Sequence, residues 1–141
     1  MSTYSSKPHT ASASAGTVYS RINNLGSLQE RINALPEDIR SKLGEVTFTD
    51  DSIVINAGPV GAITFNVVER IEPTRVALEA QNSPVPLRLS LNLTPKDADH
   101  TDIVTTIDID IPMMLRPMVG PKMQEAADKL GELVGNINYN A

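Results

Sequence analysis

The chain has 141 residues, 40% hydrophobic and 21% charged, which is ordinary for one folded domain over 1–141 and unlike a disordered chain. A net charge of −5, two Phe, three Tyr and no Trp argue against a nucleic-acid-binding surface, which needs clustered cations and stacking rings. The absence of cysteine excludes disulfides and thiolate chemistry and is consistent with a reducing compartment.

The N-terminal segment 1–16 is rich in Ser and Ala but has neither the basic start nor the apolar block of a secretory signal. No apolar run in the sequence approaches the length of a membrane span. We therefore expect a cytoplasmic protein that does not insert into membranes. A first strand is predicted over 4–10, with Tyr4 and Thr10 on one face, at a sheet edge because Pro8 lacks an N–H.

Three short helices are predicted after this strand. Ser14 is a suitable N-cap for the first helix, which Gly26 would end. Ser27 can cap the second helix. The third is predicted over 36–43, since proline suits the first helical position, and Gly44 would stop it.

Several segments then alternate in hydrophobicity as strands do. Segments 46–48 and 53–55 indicate a hairpin turned at 50–51, and two more strands follow over 63–67 and 76–80.

The two clearest strands come next, separated by a polar turn over 95–101. Their alternation with polar residues predicts an antiparallel sheet that is covered on one side and solvated on the other. The residues expected on the covered face are Leu87, Leu89, Leu91, Leu93, Ile103, Thr105, Ile107 and Ile109.

An amphipathic helix closes the chain, because apolar residues recur at spacings of four and three: Met123, Ala127, Leu130, Val134 and Ile137. Before it, Pro112 predicts a short helical turn, and Pro117 argues against a straight helix through that point. The long helix is therefore expected to begin at Pro121, after Gly120. Gly131 within it costs about 1 kcal/mol relative to Ala and indicates close packing there.

A strand, short helices, a run of strands and one long helix make an α+β order rather than an alternating α/β one. The helix-grip arrangement, a curved antiparallel sheet wrapped around a long C-terminal helix, fits this order best. The space between sheet and helix could be packed core or a ligand cavity, and the pattern leaves both open.

Several local motifs carry a resemblance to a known superfamily. They are VVERIEP at 67–73, EAQNSPVP at 79–86, LRPMV at 115–119 and MQE at 123–125. In these motifs and in element order, from about Tyr4 to Tyr139, the chain resembles a small bacterial subgroup of the SRPBCC superfamily. That superfamily includes START domains, polyketide cyclases and pollen-allergen-type carriers. The resemblance implies an apolar cavity under the last helix but no particular ligand, because members bind sterols, lipids, flavonoids and hormones or catalyse cyclisations.

Methionines suit the mouth of such a cavity, because thioether side chains adapt to irregular apolar shapes. Four of the five methionines lie within 113–123. Six residues are predicted to line the ligand site: Phe65, Leu78, Leu89, Met114, Met118 and Met123. Packing of the core by the same side chains is the alternative. If Met118 lines the cavity, an Asp there should weaken ligand uptake without abolishing folding.

Catalysis would require acid and base groups that converge in a water-poor site. The two histidines, His9 and His100, lie in the predicted edge strand and the polar turn. Glu69 would point inward near the rim if the alternation held to the end of its strand, and Arg70 follows it. A convergence of Glu69, Arg70 and Thr105 would favour a cyclase or hydrolase. The sequence assigns no catalytic residue.

A compact acidic cluster contains Asp97, Asp99, His100 and Asp102, and Asp108 falls where a calcium loop would end. Asp102 occupies the position at which such a loop needs a glycine. A hairpin turn rich in Asp fits this segment better. We expect neither a metal nor a cofactor.

The sequence thus predicts noncatalytic binding or carrying of an apolar or amphipathic, lipid-like small molecule. A protein-interaction or co-chaperone-like module is the alternative, and a polyketide cyclase-like enzyme is a third, less favoured one. The expected partner is a hydrophobic small molecule, not a nucleic acid, and the oligomeric state is not indicated.

Overall fold

The computed structural model describes residues 2–40, 46–56, 62–81, 83, 85–137 and 139, without the side chains of Arg40 and Asn56. The described strands are β1 (Ser2–Ser5), β2 (His9–Ala11), β3 (Val46–Phe48), β4 (Ser52–Asn56), β5 (Ala62–Ile71), β6 (Arg75–Ala80), β7 (Leu87–Asp97) and β8 (His100–Ile109). The helices are α1 (Ala15–Asn23), α2 (Leu25–Asn33), α3 (Glu37–Arg40) and α4 (Arg116–Gly135), with a 3-10 turn at Met113–Leu115 before α4.

The strands form one antiparallel sheet in the order β1-β8-β7-β6-β5-β4-β3, and β2 also pairs with β8. Burial alternates residue by residue along the whole of β8, as period-two patterning predicts. The predicted α+β helix-grip fold is confirmed: a curved antiparallel sheet, short helices after the first strands, and a long C-terminal helix.

The core lies between the inner face of this sheet and the helices. α1 packs on β6, β7 and β8, α2 packs on β3, and α4 crosses β8, β1 and β2. The inward leucines and isoleucines of β7 and β8 are all buried, which confirms the two clearest strands of the sequence. Within the described ranges, no helix is both long enough and apolar enough to span a bilayer.

The predicted first strand is divided into β1 and β2, so the expectation that Tyr4 and Thr10 share a face was wrong. Tyr4 packs against the core whereas Thr10 is exposed. Pro8 lies in the break, where its missing N–H leaves no ladder bond unmade. At the break Ser6 donates its N–H to the Thr105 carbonyl (2.8 Å), and Ser6 Oγ accepts from the Thr105 N–H (3.0 Å).

Ser14 caps α1 as predicted, because its Oγ accepts from the N–H of Thr17 at 3.3 Å. The predicted start of the second helix was wrong: α2 begins at Leu25, and Ser27 lies within its first turn, donating to the Asn24 carbonyl (2.8 Å). Burial of Leu25 in the core favours this earlier start.

Two other boundaries differ from the prediction. The third helix is described only as α3, Glu37–Arg40, and the expected end at Leu43 and stop at Gly44 lie outside the described residues. The polar turn is shorter than expected, since β7 runs to Asp97 and β8 begins at His100. The Asp97 carboxylate accepts the Asp99 N–H at 2.8 Å, which closes a tight Asx-type turn.

The predicted start of the long helix at Pro121 was also wrong. α4 begins at Arg116, and Pro121 lies inside it. Pro117 falls in the first turn, where the N–H has no helical partner, so it is tolerated there. Buried Gly120 packs under the Tyr4 hydroxyl and holds this turn on the sheet.

Candidate ligand cavity

A cavity of about 110 Å³ lies between the sheet and the middle of α4. The strands β4, β5, β7 and β8 and the helix α4 contribute to its wall. Among the residues that the structure describes, those that line it are all apolar: Ile55, Ile63, Phe65, Leu87, Leu89, Ile107, Met123, Ala126 and Leu130.

The lining residues divide by exposure into a deep wall and a rim. The deep wall is formed by buried side chains, Phe65, Leu87, Leu89, Ile107 and Leu130. The rim is formed by half-buried side chains, Ile55, Ile63, Met123 and Ala126. Since Ile55 and Ile63 pair across β4 and β5, the mouth lies between that hairpin and α4.

The structure brings three of the six predicted site residues together and separates the other three. Phe65, Leu89 and Met123 line the cavity. Leu78 is fully buried in the core but does not reach this wall. Met114 is 90% exposed and Met118 is 70% exposed.

Helical periodicity explains the position of Met118. Met118 precedes Met123 by five positions, which places the two side chains about 140° apart around α4. Met123 therefore faces the sheet while Met118 faces solvent. In this geometry, the weaker ligand uptake predicted for Met118→Asp is expected of Met123→Asp instead.

Six lining residues were missed at the sequence level. Leu87, Ile107 and Leu130 were placed on covered faces by periodicity, but nothing marked them as cavity residues rather than core. The other three are rim residues, Ile55, Ile63 and Ala126, whose role depends on how far α4 stands from the β4–β5 hairpin.

The cavity volume limits what can enter without rearrangement. Pockets for drug-sized ligands measure roughly 300–1,000 Å³, whereas a dry apolar cavity of about 150 Å³ admits benzene. At about 110 Å³ the cavity accommodates a small apolar molecule or one segment of a longer one.

The three side chains that would have favoured catalysis do not converge. A β-bulge just before Glu69 ends the alternation of β5, and Glu69 instead accepts from Arg75 Nε at 2.8 Å. Arg70 pairs with Asp51 at 3.0 Å on the surface. Thr105 is buried on β8, apart from both ion pairs.

Three acidic side chains of the β7–β8 turn and of β8, Asp97, Asp102 and Asp108, each have a nearby partner. His100 Nδ1 lies 2.8 Å from a carboxylate oxygen of Asp97, and this hydrogen bond holds the pKa of Asp97 below its ordinary value. Asp102 and Asp108 accept hydroxyl hydrogen bonds of 2.6 Å from threonines of β2 and β1. In the part of the chain that the structure describes, no His, Cys, Asp and Glu side chains cluster as metal ligands would.

Neither a family model nor a curated protein sequence matches the chain. Solved structures do match it. Norcoclaurine synthase from Thalictrum flavum aligns with a TM-score of 0.68 at 8% identity, over 95% of this chain and 84% of that one. The same enzyme in complex with dopamine and hydroxybenzaldehyde aligns at 0.62 and 11%, over 94% and 86%. A START superfamily protein from Mycobacterium smegmatis aligns at 0.53 and 16%, over 94% and 96%.

These identities are low, so the likeness concerns the fold. It extends over nearly the whole chain and includes both a plant enzyme and a bacterial START protein. The chain therefore has the helix-grip fold of these structures, which is the fold that the resemblance to the SRPBCC superfamily implied.

Proposed function

We propose that this protein binds or carries an apolar or amphipathic, lipid-like small molecule in the cavity under α4, without transforming it. One observation carries the proposal: the nine described residues that line the cavity are all apolar, and half-buried Met123 and Ala126 form part of a rim through which a ligand could enter. Concave, mostly apolar sites are where proteins usually bind small molecules. The cytoplasmic location that the sequence led us to expect is part of the same proposal.

The magnitude of the hydrophobic effect sets the affinity to expect. Burial of about 200 Å² of apolar ligand surface gains at most about 5 kcal/mol, which corresponds to a dissociation constant near 0.2 mM. Tighter binding would need a longer ligand and a wider opening between α4 and the β4–β5 hairpin. The similar structure of norcoclaurine synthase with dopamine and hydroxybenzaldehyde supports the idea that this fold can hold small molecules.

The methionines of the chain provide a direct test. Protein labelled with 13C at the methionine methyl groups would be titrated with 1-octanol and followed by NMR. We expect a saturable shift of the Met123 signal, because Met123 lines the cavity, while exposed Met113, Met114 and Met118 stay unchanged. Shifts at the exposed methionines without one at Met123 would contradict binding in the cavity.

A pair of variants tests the same site by affinity. Met123→Asp places a carboxylate at the half-buried apolar rim and should weaken octanol binding at least about tenfold, since a bound ligand would cover the charge without pairing it. Met118→Asp is the matched control, because it makes the same change at an exposed position of the same helix. Equal affinities of the two variants, at comparable thermal stability, would argue against the cavity.

A protein-interaction module is the second candidate, and one observation favours it. Met113, Met114, Leu115 and Met118 form an exposed apolar surface at the start of α4, beside the cations Arg116 and Lys122. Native mass spectrometry of protein purified from its own host separates the two candidates. A carrier should retain an extractable small molecule, whereas an interaction module should retain a protein and no small molecule.

A further inference from the structure

Thr105 is a buried polar residue that lies between Ile103 and Ile107 in the inward-facing row of β8. It is fully buried, and its Oγ1 has no hydrogen-bond partner among the described residues. Its backbone groups are satisfied, since its N–H donates to Ser6 Oγ (3.0 Å) and its carbonyl accepts from the Ser6 N–H (2.8 Å). Only the hydroxyl is left without a partner.

Buried polar groups in folded proteins are almost always hydrogen-bonded, so an unpartnered hydroxyl calls for a physical reason. It costs free energy that a valine of the same shape would avoid. Thr101 provides the contrast on the same strand: it is equally buried, but its hydroxyl donates to the Ala13 carbonyl at 2.8 Å.

The position of Thr105 relates the hydroxyl to the cavity. Ile107, two residues along the same face of β8, belongs to the deep wall, so the two Cα atoms lie about 7 Å apart. The neighbouring strand β7 follows the same register, because Leu89 is opposite Ile107 and Leu91 is opposite Thr105. Thr105 is therefore the next inward-facing residue of β8 beyond the deep wall.

The helix α4 also connects the deep wall with the region of Thr105. Leu130 is a deep-wall residue, and its neighbour Gly131 lies against Ser6, which is bonded to Thr105. Leu130 is thus adjacent in α4 to the residue that contacts the bonding partner of Thr105. A ligand that displaces Leu130 would extend the cavity toward Thr105 Oγ1.

We propose that Thr105 is the polar anchor of the cavity and that the ligand is a neutral amphipathic molecule with a hydroxyl or carbonyl oxygen at its deep end. This inference rests on the proposed function and specifies its ligand class. The apolar part of the ligand would lie against the deep wall and point to the rim at Met123. A carboxylate or ammonium group is disfavoured at the deep end, because the described residues that line the cavity include no charged side chain to pair with it.

Benzyl alcohol and ethylbenzene are suitable probes, since they have nearly the same shape and differ by a hydroxyl in place of a methyl group. Benzoate adds a charged third probe. Binding of each would be measured by NMR titration to wild type, Thr105→Val, Thr105→Ser and Thr101→Val. The unliganded melting temperatures of all four proteins would be measured in parallel.

We expect Thr105→Val to bind benzyl alcohol about fivefold more weakly, the factor that corresponds to one net hydrogen bond, while ethylbenzene binds as before. Thr105→Ser should keep the preference of wild type, because it keeps the hydroxyl. Thr101→Val should keep it too, although it loses stability along with its bond to Ala13. Unliganded Thr105→Val should melt at or above the wild-type temperature, and benzoate should bind more weakly than benzyl alcohol to wild type.

The two levels of the proposal fail in different ways. If both neutral probes bind wild type and Thr105→Val with unchanged affinities, the anchor is overturned and the cavity function stands. If Thr105→Ser loses the preference for benzyl alcohol, the anchor is overturned as well, even where Thr105→Val does not fold. If neither neutral probe binds wild type, both the anchor and the proposed ligand cavity are overturned.

Discussion

The two halves of α4 meet the sheet differently. In the second half, Leu130 and Val134 are buried and Gly131 lies directly against Ser6. In the first half, most side chains from 116 to 122 are exposed, although Gly120 lies under Tyr4 and half-buried Val119 packs against the core.

The cavity lies between these two kinds of packing, with half-buried Met123 at its rim and buried Leu130 in its deep wall. Segments with few buried apolar contacts open at lower free-energy cost than the core does. The second half of α4 therefore anchors the helix, and the first half is where we expect a ligand to enter.

The largest effect should come from shortening a buried side chain in the second half. Leu130→Ala should lower the free energy of unfolding by about 2–5 kcal/mol, because it removes buried methyl groups and enlarges an existing cavity. Met114→Ala, at the exposed side chain just before α4, should change it by less than about 0.5 kcal/mol. Urea denaturation of both variants measures the difference. Similar losses would mean that the two ends are packed alike.

A smaller effect is expected from adding a methyl group where the helix touches the strand break. A Cβ at residue 131 would lie 2.6 Å from Ser6 Cβ, so Gly131→Ala should destabilise the protein by about 1–3 kcal/mol despite the better helix propensity of Ala. Gly16→Ala is the matched control, because a Cβ there meets nothing within 4 Å. This control should be stabilising by up to about 1 kcal/mol. A gain in melting temperature for both variants would show that the contact at Ser6 yields without cost.

The pattern of apolar residues was sufficient to predict most of the fold. Strict alternation over 87–94 and 102–109 specified two half-buried strands, and the cap at Ser14 specified a helix start. Boundaries failed where tertiary packing outweighed local preference. Pro121 should begin a helix by its chemistry alone, but contact of Gly120 with Tyr4, far away in sequence, extends α4 back to Arg116.

The candidate site was less predictable for a related reason. Periodicity identifies inward residues such as Leu89 and Ile107, but it does not say where side chains from distant segments fail to fill the space between them. Methionine content was misleading, because Met114 and Met118 lie near Met123 in sequence yet face solvent. The irregularity near Glu69 has no evident sequence signal, and it removed the one inward carboxylate that alternation predicted.

The smallest effect is expected from a variant at the C-terminal end of α4, where Tyr139 packs. Tyr139 is buried, and its hydroxyl donates to the Val134 carbonyl at 2.7 Å, so Tyr139→Phe should cost about 0.5–1.5 kcal/mol at neutral pH. Burial also raises the pKa of Tyr139 far above its ordinary value of 10.0. The folded protein thus keeps this proton when the unfolded chain releases it, so the associated stability is complete below pH 10 and declines as the pH rises further.

The decline should approach about 1.4 kcal/mol per pH unit for this one group, and Tyr139→Phe should lack it. The stability difference between wild type and Tyr139→Phe should therefore stay constant from pH 7 to 9, shrink above pH 10 and reverse near pH 11. Denaturation at each pH measures it, and the neutral range is the internal control. If the stabilities of wild type and Tyr139→Phe plotted against pH remain parallel through pH 11, the hydroxyl ionises in the folded protein. The end of α4 would then be as accessible to water as its beginning.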